Sequence, residues 1–559
     1  MFVRIKKIGS YSYLQIVENQ RVEGKVQQRV LCNLGQLEIL RSTGQLDALL
    51  RSGLRYSEYL QVLDAAKPGE DLATRTIRIG PGLLFAKLWE ELGIGPVILS
   101  LLEGRRYQFA MERAIFLTVL HRLFAPGSDR YADFWQRDQL IPGGETLQLH
   151  HLYRAMAWLG EMLPWKKQVD INPFGFRAVK DEIEEELFSR TRSLFTDLQL
   201  VFFDTTSLYF EGSHFTLLKH YGHSKDHRPD LRQLVVGMVL DGAGNPICSE
   251  ILPGNTTDVK TLAPVAERLQ KRFGIGQVCI VADRGMISAE NMREIEQLHW
   301  QYILGVRMRV CEEVSEEVLA DAHRYHVIHP PRKNSKDPSP LKVKEVQLRG
   351  TRYIVCHNEE EAEKDRHDRE AIVAALREAL KKGDTSLVGN KGYRRYLKTA
   401  SRDHFDVDEN KIKQEPKYDG TWVLTTNTGL PMAEVALKYK QLWMVEDIFR
   451  TMKSTLETRP IFHKVDENIT GHVFCSFLAL KLRKYLQDKL AERGWKCEWR
   501  DVIHDVNELG EVEVQNNGKN FIIRTETKGV AGKVFQAAGV ALPPVLRGKT
   551  IGTTPVPSP

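Results

Sequence analysis

Two aspartates stand where a carboxylate is costly to place. Asp204 follows the apolar run LVFF, and Asp283 follows CIVA. An ionised carboxylate beside a buried run needs a compensating cation. The ends of sheet strands are also where α/β folds carry functional groups. Two such aspartates suggest a shared metal site. A third acid, Glu446, lies in KYKQLWMVEDIFRTMK, where Tyr439, Glu446 and Lys453 are spaced by seven, nearly two helical turns. One helix face would then point a tyrosine, a carboxylate and a lysine the same way. Two Asp and one Glu are hard oxygen ligands suited to Mg2+ or Mn2+. Two such ions about 3.5–4 Å apart can activate an attacking oxygen and stabilise the leaving oxygen of a phosphodiester. Tyr439 and Lys453 would hold the charged strand. Singly, each acid has a plainer role. A strand-end Asp is often a turn former or cap, Glu446 suits a solvated helix face, and its neighbour Asp447 competes with it. The order strand–Asp, strand–Asp, strand–helix–Glu is what makes the set specific.

The elements that must position these residues can be read from the same chain. Residues 198–310 alternate apolar strands with helices, which argues an α/β layer fold around a buried sheet. Here LQLVFFDTTSLYFEG is followed by RQLVVGMVLDGAGNPICSEILPG, a strand pair with a Gly-rich turn. Then come the helix DVKTLAPVAERLQKRF, capped by Thr256, Thr257 or Asp258, and the strand QVCIVADRGMIS. Residues 311–419 interrupt this pattern as an inserted, strand-rich subdomain with a charged helix near 359–382. Between 332 and 352 seven Lys and Arg face two acids. Residues 420–490 resume with the strand GTWVLTTNTG and one long helix, ALKYKQLWMVEDIFRTMKSTL. Upstream, residues 1–35 alternate as a β meander. Residues 36–197 carry three- and four-residue apolar spacing, a mostly helical domain that has room for helix-turn-helix DNA binding but no spacing that proves it. Residues 491–559 form a C-terminal region with the strand FIIRTETKG and a fraying Pro-rich end, PVPSP.

Composition sets outer limits. The chain has 559 residues, 42% hydrophobic and 27% charged, with a net charge of +6. Those are ordinary globular values, and the mild basicity neither demands nor excludes a nucleic-acid partner. Seven cysteines include no C-x-x-C pair, which argues against zinc ribbons and dithiol redox motifs. The start lacks a secretory leader and no charge-free apolar stretch reaches about 18 residues. A cytoplasmic, nucleoid-associated protein with no membrane partner is expected.

The block GHSKDHRPDLRQ has two readings. Lys225, Arg228 and Arg232 could grip DNA phosphates, or pair with Asp226 and Asp230 to fix a loop. The nearby His214, His220, His223 and His227 fit no usual zinc spacing.

Taken together, FDTTSLYFEG, GHSKDHRPDLRQLVVGMVLD, PGNTTDVKTL, VADRGMIS, YILGVRMR and YKQLWMVEDIFRTMKSTLETRPIFH carry a resemblance. The chain resembles the DDE insertion-sequence transposases of the IS-four superfamily, most closely its IS-sixteen-thirty-four-like group. The resemblance implies a ribonuclease-H-like catalytic domain with a strand-rich insertion, preceded by the mostly helical domain. It implies Asp204, Asp283 and Glu446 as the catalytic, metal-binding triad. The family's third block is written Y-(2)-R-(3)-E-(6)-K, and here it reads Tyr439, Leu442, Glu446, Lys453, with Leu442 in place of the Arg. The implied activity is cutting double-stranded DNA at terminal inverted repeats and joining the 3′ ends to target DNA. The active complex is then at least a homodimer.

Three other readings compete. A haloacid-dehalogenase phosphatase needs D-x-D, but Asp204 is followed by Thr205 and Thr206. A ribonuclease-H-like nuclease would cut without joining. An inactive DNA-binding derivative would keep the basic clusters, and Leu442 is consistent with it.

Overall fold

The structure is a computed structural model that describes residues 2–22, 25–54, 73–168, 176–191, 199–276, 278–381, 395–401, 404–516 and 519–548. The Pro-rich end expected to fray lies outside the described residues. The chain divides into two compact units: Met1–Pro81 with Asp138–Leu140 and Cys497–Pro559, and Gly82–Arg137 with Ile141–Lys496.

In the first unit, the expected meander is a three-stranded antiparallel sheet of Phe2–Ile8, Tyr11–Val22 and Lys25–Gln36. A second sheet runs in the order Leu546–Gly548, Lys519–Arg524, Gly510–Asn516, Ala73–Arg78. The C-terminal segment therefore pairs with a strand from the stretch read as helical. That pairing joins residues distant in sequence and leaves no local signal.

The second unit is mixed α/β. Its nine-stranded sheet runs His326–His329, Leu341–Leu348, Thr351–His357, Thr421–Thr426, Gln301–Gly305, Cys279–Ala282, Leu200–Tyr209, Gln233–Asp241, Pro246–Pro253. Cys279–Ala282 is parallel to both its neighbours, and the remaining pairs are antiparallel. The strands within residues 311–419, expected to form an inserted subdomain, extend the main sheet by antiparallel pairing to Thr421–Thr426. The insertion's helix follows as Glu359–Lys381.

Alternation along Leu200–Tyr209 sends Val201 and Phe203 into a core with Leu262, Val265 and Leu269 of the helix Leu262–Phe273. Elsewhere in the unit, Met111–Phe124, Leu149–Leu159 and Asp466–Glu492 pack together. Asp466–Glu492 is buried all round at Val473–Leu480, with Ser476 the one polar residue there, which suits a helix enclosed by others. No helix among the described residues is long and apolar enough to cross a membrane.

Candidate active site

Strand register brings the two aspartates together. Leu200–Tyr209 and Cys279–Ala282 run parallel with Phe203 opposite Ala282. Asp204 and Asp283 each follow that matched pair, so they are neighbours across the sheet. Asp204 stays within its strand and, by alternation, faces away from the Phe203 core. Asp283 leaves its strand and leads into the turn Arg284–Met286.

The Asp204 side chain is only 17% exposed. Burial raises its pKa to about 6, and the carboxylates of Asp283 and Asp258 push the same way. Lys225 and the Thr205 amide oppose the rise. Thr205 N–H donates to Asp204 Oδ1 at 2.7 Å. Lys225 Nζ lies 3.8 Å from Asp204 Oδ1 and 3.1 Å from Asp258 Oδ2.

Asp283 accepts a hydrogen bond from the Tyr439 hydroxyl at 3.1 Å. Burial and that anionic partner both raise the tyrosine pKa, so the phenol stays protonated and donates. Tyr439 reaches Asp283 by passing over Gly305, where an added Cβ would collide with its hydroxyl. The strand ending at Gly305 therefore needs a glycine there. Asp283, Tyr439 and Glu446 line one cleft of about 510 Å3, and Asp365 and Arg369 of the insertion's helix line it with them.

The segment carrying Glu446 departs from the single long helix expected. It is Met432–Lys440, then Trp443–Arg450, then a wide π turn at Thr451–Thr455. Between the first two, Leu442 N–H bonds Tyr439 O and Met444 N–H bonds Gln441 O, so the chain tightens to three-residue steps. In the π turn, Leu456 N–H reaches back to Thr451 O. These changes of pitch break the seven-residue face. Tyr439 and Glu446 share the cleft, while Lys453 Nζ pairs with Asp226 Oδ1 at 2.8 Å. Burial lowers the Lys453 pKa against that pair. Leu442 is buried, an apolar anchor at the bend.

The basic block splits by residue. Lys225 does not pair with Asp226; it turns inward to Asp258, Asp204 and Thr205. Asp226 instead receives Lys453 and Arg459. Arg228 pairs with Asp230 at 2.8 Å, as the loop-fixing reading expected. Arg232 lies over the exposed rings of Phe215 and Tyr221.

Sequence reasoning missed Asp258 as a site residue and read it as a helix cap. The helix starts after Thr261, and the Asp258 carboxylate accepts from Thr205 Oγ1 at 2.6 Å. Its one sequence signal was membership of PGNTTDVKTL. Among the described residues, no three His, Cys, Asp or Glu side chains converge closely enough to cage an ion as they stand. The acids share a neighbourhood with excess negative charge.

A family model described as transposase DDE domain matches residues 196–480, just over half of the chain. One described as IS1634 family transposase, N-terminal domain, matches residues 3–62. No curated protein matches the chain. Among solved structures, a piggyBac transposase synaptic complex with hairpin DNA is similar at 11% identity and TM-score 0.40, over 76% of this chain and 79% of that one. A Mos1 transposase paired-end complex with left transposon end is similar at 12% identity and TM-score 0.15, over 40% and 76%. At these scores neither likeness bears on fold or function.

Proposed function

Because the chain belongs to the DDE transposases, enzymes of DNA cleavage and transfer, we propose that Asp204, Asp283 and Glu446 are its catalytic acids. The DNA cut is the double-stranded inverted repeat at a transposon end, and the freed 3′ ends are joined to target DNA. The observation that carries this reading is the strand register, which seats Asp204 beside Asp283, with Glu446 in the same cleft as Asp283. The strand order supports a ribonuclease-H-like domain. Three antiparallel strands, Pro246–Pro253, Gln233–Asp241 and Leu200–Tyr209, are followed by two parallel ones, Cys279–Ala282 and Gln301–Gly305.

The donor set fits a divalent ion. All three acids offer hard oxygens, and the burial that raises Asp204, with the lesser push of Asp283 and Asp258, is offset by a cation. Asp204, Asp283 and Glu446 would hold Mg2+ or Mn2+, which supplies an activated attacking oxygen and stabilises the leaving oxygen. The chain's own groups do the rest. Tyr439 fixes the Asp283 carboxylate through its hydroxyl. Lys225 and the Thr205 amide hold Asp204. The insertion's helix walls the cleft and limits how a strand enters.

Arg232, outside the acid cluster, is read as a phosphate contact, and Arg228, paired with Asp230, as the group that fixes the loop. Lys225, Tyr439 and Lys453, expected to touch DNA, are read as groups that order the floor beneath the strand. Two transposon ends require two catalytic chains, hence a homodimer, acting on chromosomal DNA in the cytoplasm.

The test is a cleavage and joining assay on DNA carrying the terminal repeats with Mg2+ or Mn2+. Wild type is expected to cut at the repeat end and join it, and Glu446→Gln to bind without cutting, a loss of about 10³-fold or more. Cutting without joining would favour the nuclease reading. Binding without cutting by wild type would favour an inactive derivative, consistent with buried Leu442. Normal cutting by Glu446→Gln would remove Glu446 from the triad.

A further inference from the structure

Asp258 and Lys225 are built into the same floor as Asp204, within its strand, and Asp283, just past the end of its own. Lys225 Nζ donates to Thr205 O at 2.7 Å and contacts Thr205 Oγ1 at 2.9 Å. Those bonds and Asp258 hold it 3.8 Å from Asp204 Oδ1. Asp258 is itself fixed from two sides. Thr205 Oγ1 donates to one of its oxygens at 2.6 Å, and the other faces Lys225 at 3.1 Å.

The turn carrying Asp258 is tied to the turn after Asp283. Buried Asn291 donates to Val259 O at 2.6 Å and to Met286 O at 2.7 Å. A Cβ added at Gly285 would come within 3.2 Å of Asp258 Oδ2. Asp258 therefore cannot drift from the site independently of Asp283.

We propose that Asp258 and Lys225 are a positioning pair that sets the site's affinity for its divalent cation. Asp258 draws the Lys225 ammonium aside and leaves Asp204 open to the ion. Lys225 offsets the repulsion among three aspartates. This inference rests on the reading of Asp204 as a metal ligand.

The pair makes the two substitutions act in opposite directions. In Asp258→Asn, Lys225 loses its nearer carboxylate and is left with Asp204, where the ammonium competes with the ion. In Lys225→Met, the competing ammonium is gone and the aspartates face a cation with undiminished charge. A role limited to holding the fold would lower affinity in both.

The experiment is titration of the full chain with Mn2+, without DNA, following the free-ion signal by electron paramagnetic resonance. Asp258→Asn is expected to weaken binding about 10- to 100-fold, and Lys225→Met to tighten it several-fold. Lys225→Arg, which keeps the charge, is expected to stay near wild type. The tightening in Lys225→Met cannot arise from misfolding, which guards the result. If Asp204→Asn abolishes binding while the Asp258 and Lys225 variants match wild type or both weaken it, this inference fails alone. If Asp204→Asn binds as wild type does, the reading of the site fails and this inference with it.

Discussion

The second unit contains two clusters of opposed charge, and they are built differently. One is buried between the helix Val179–Thr191, the strand Pro246–Pro253 and the helix Leu262–Phe273. Its acids Asp181, Glu184, Glu185 and Glu250 meet the cations Arg177, Lys180, Arg268 and Arg272, one for one. Arg272 alone reaches Asp181, Glu184, Glu185 and Glu250. Burial would push Asp181 up, but Lys180, Arg272 and Arg268 hold it well below the usual carboxylate range. The other cluster sets Asp204 and Asp258 around the ammonium of Lys225, with Asp283 beside Asp204. The balanced cluster clamps helices to sheet. The surplus of acid at the other leaves work for a cation from outside.

The comparison makes predictions of opposite sign for stability. Arg272→Met strips the balanced cluster of its hub and leaves four acids to three buried cations. It is expected to cost about 3–5 kcal/mol in urea unfolding. A loss under about 1 kcal/mol would remove the distinction between the clusters.

Asp204→Asn is expected to stabilise the chain. In the folded state the Asp204 pKa rises from 3.8 to about 6, equivalent to about 3 kcal/mol. Between those values the folded state binds the extra proton, so ionising Asp204 lowers stability as pH rises from about 4 through 6. In chelator at pH 7 the variant should gain up to that amount, and below pH 4 the two curves should converge. A destabilised variant at pH 7 would place Asp204 in the balanced class.

Asp129 sharpens the contrast, because it behaves as Asp181 does. Burial raises it, but the His463 hydrogen bond and the Arg122 charge outweigh burial and bring it to about 2. Its stabilisation is complete above pH 3.8 and is lost as pH falls through about 2. Asp129→Asn should cost about 2 kcal/mol at pH 7, with the difference from wild type vanishing between pH 4 and 2. Equal acid limbs for both proteins would contradict this.

The smallest stability effect belongs to Tyr439→Phe, which removes one hydrogen bond from Asp283. Stability should fall by about 1 kcal/mol or less, while Mn2+ affinity falls about 10-fold or more. Unchanged affinity would show that the hydroxyl does not orient Asp283.

Much of the site was legible because it follows from local pattern. An apolar run that meets an Asp marks a buried strand, and that singled out Asp204 and Asp283; the strand exit expected at both is found at Asp283, while Asp204 sits within Leu200–Tyr209 because its strand runs on to pair with Gln233–Asp241. Their adjacency was not legible, since parallel register is set by tertiary pairing. Asp258 was hidden by its position before a helix, where the capping role of an acid is the commoner one. That Lys453 pairs with Asp226 and does not line the cleft of Tyr439 and Glu446 is a matter of helix pitch. Spacing by seven assumes an even 3.6 residues per turn, and the tight step at Leu442 and the wide turn at Thr451–Thr455 spoil it. The strands of the insertion were recognised from composition, but their place in the main sheet depends on pairing to Thr421–Thr426. The partnership of Ala73–Arg78 with Gly510–Asn516 spans most of the chain and had no sequence trace.

The central claim is that the surplus carboxylate charge at Asp204 and Asp283 is there to be met by a divalent cation. It is tested most directly by thermal unfolding of wild type and Asp204→Asn, each in chelator and in excess Mg2+. The account expects Mg2+ to raise the wild-type midpoint, and the variant to melt higher than wild type in chelator with no response to Mg2+. A wild-type midpoint unmoved by Mg2+, or equal stabilisation of both proteins, would contradict it.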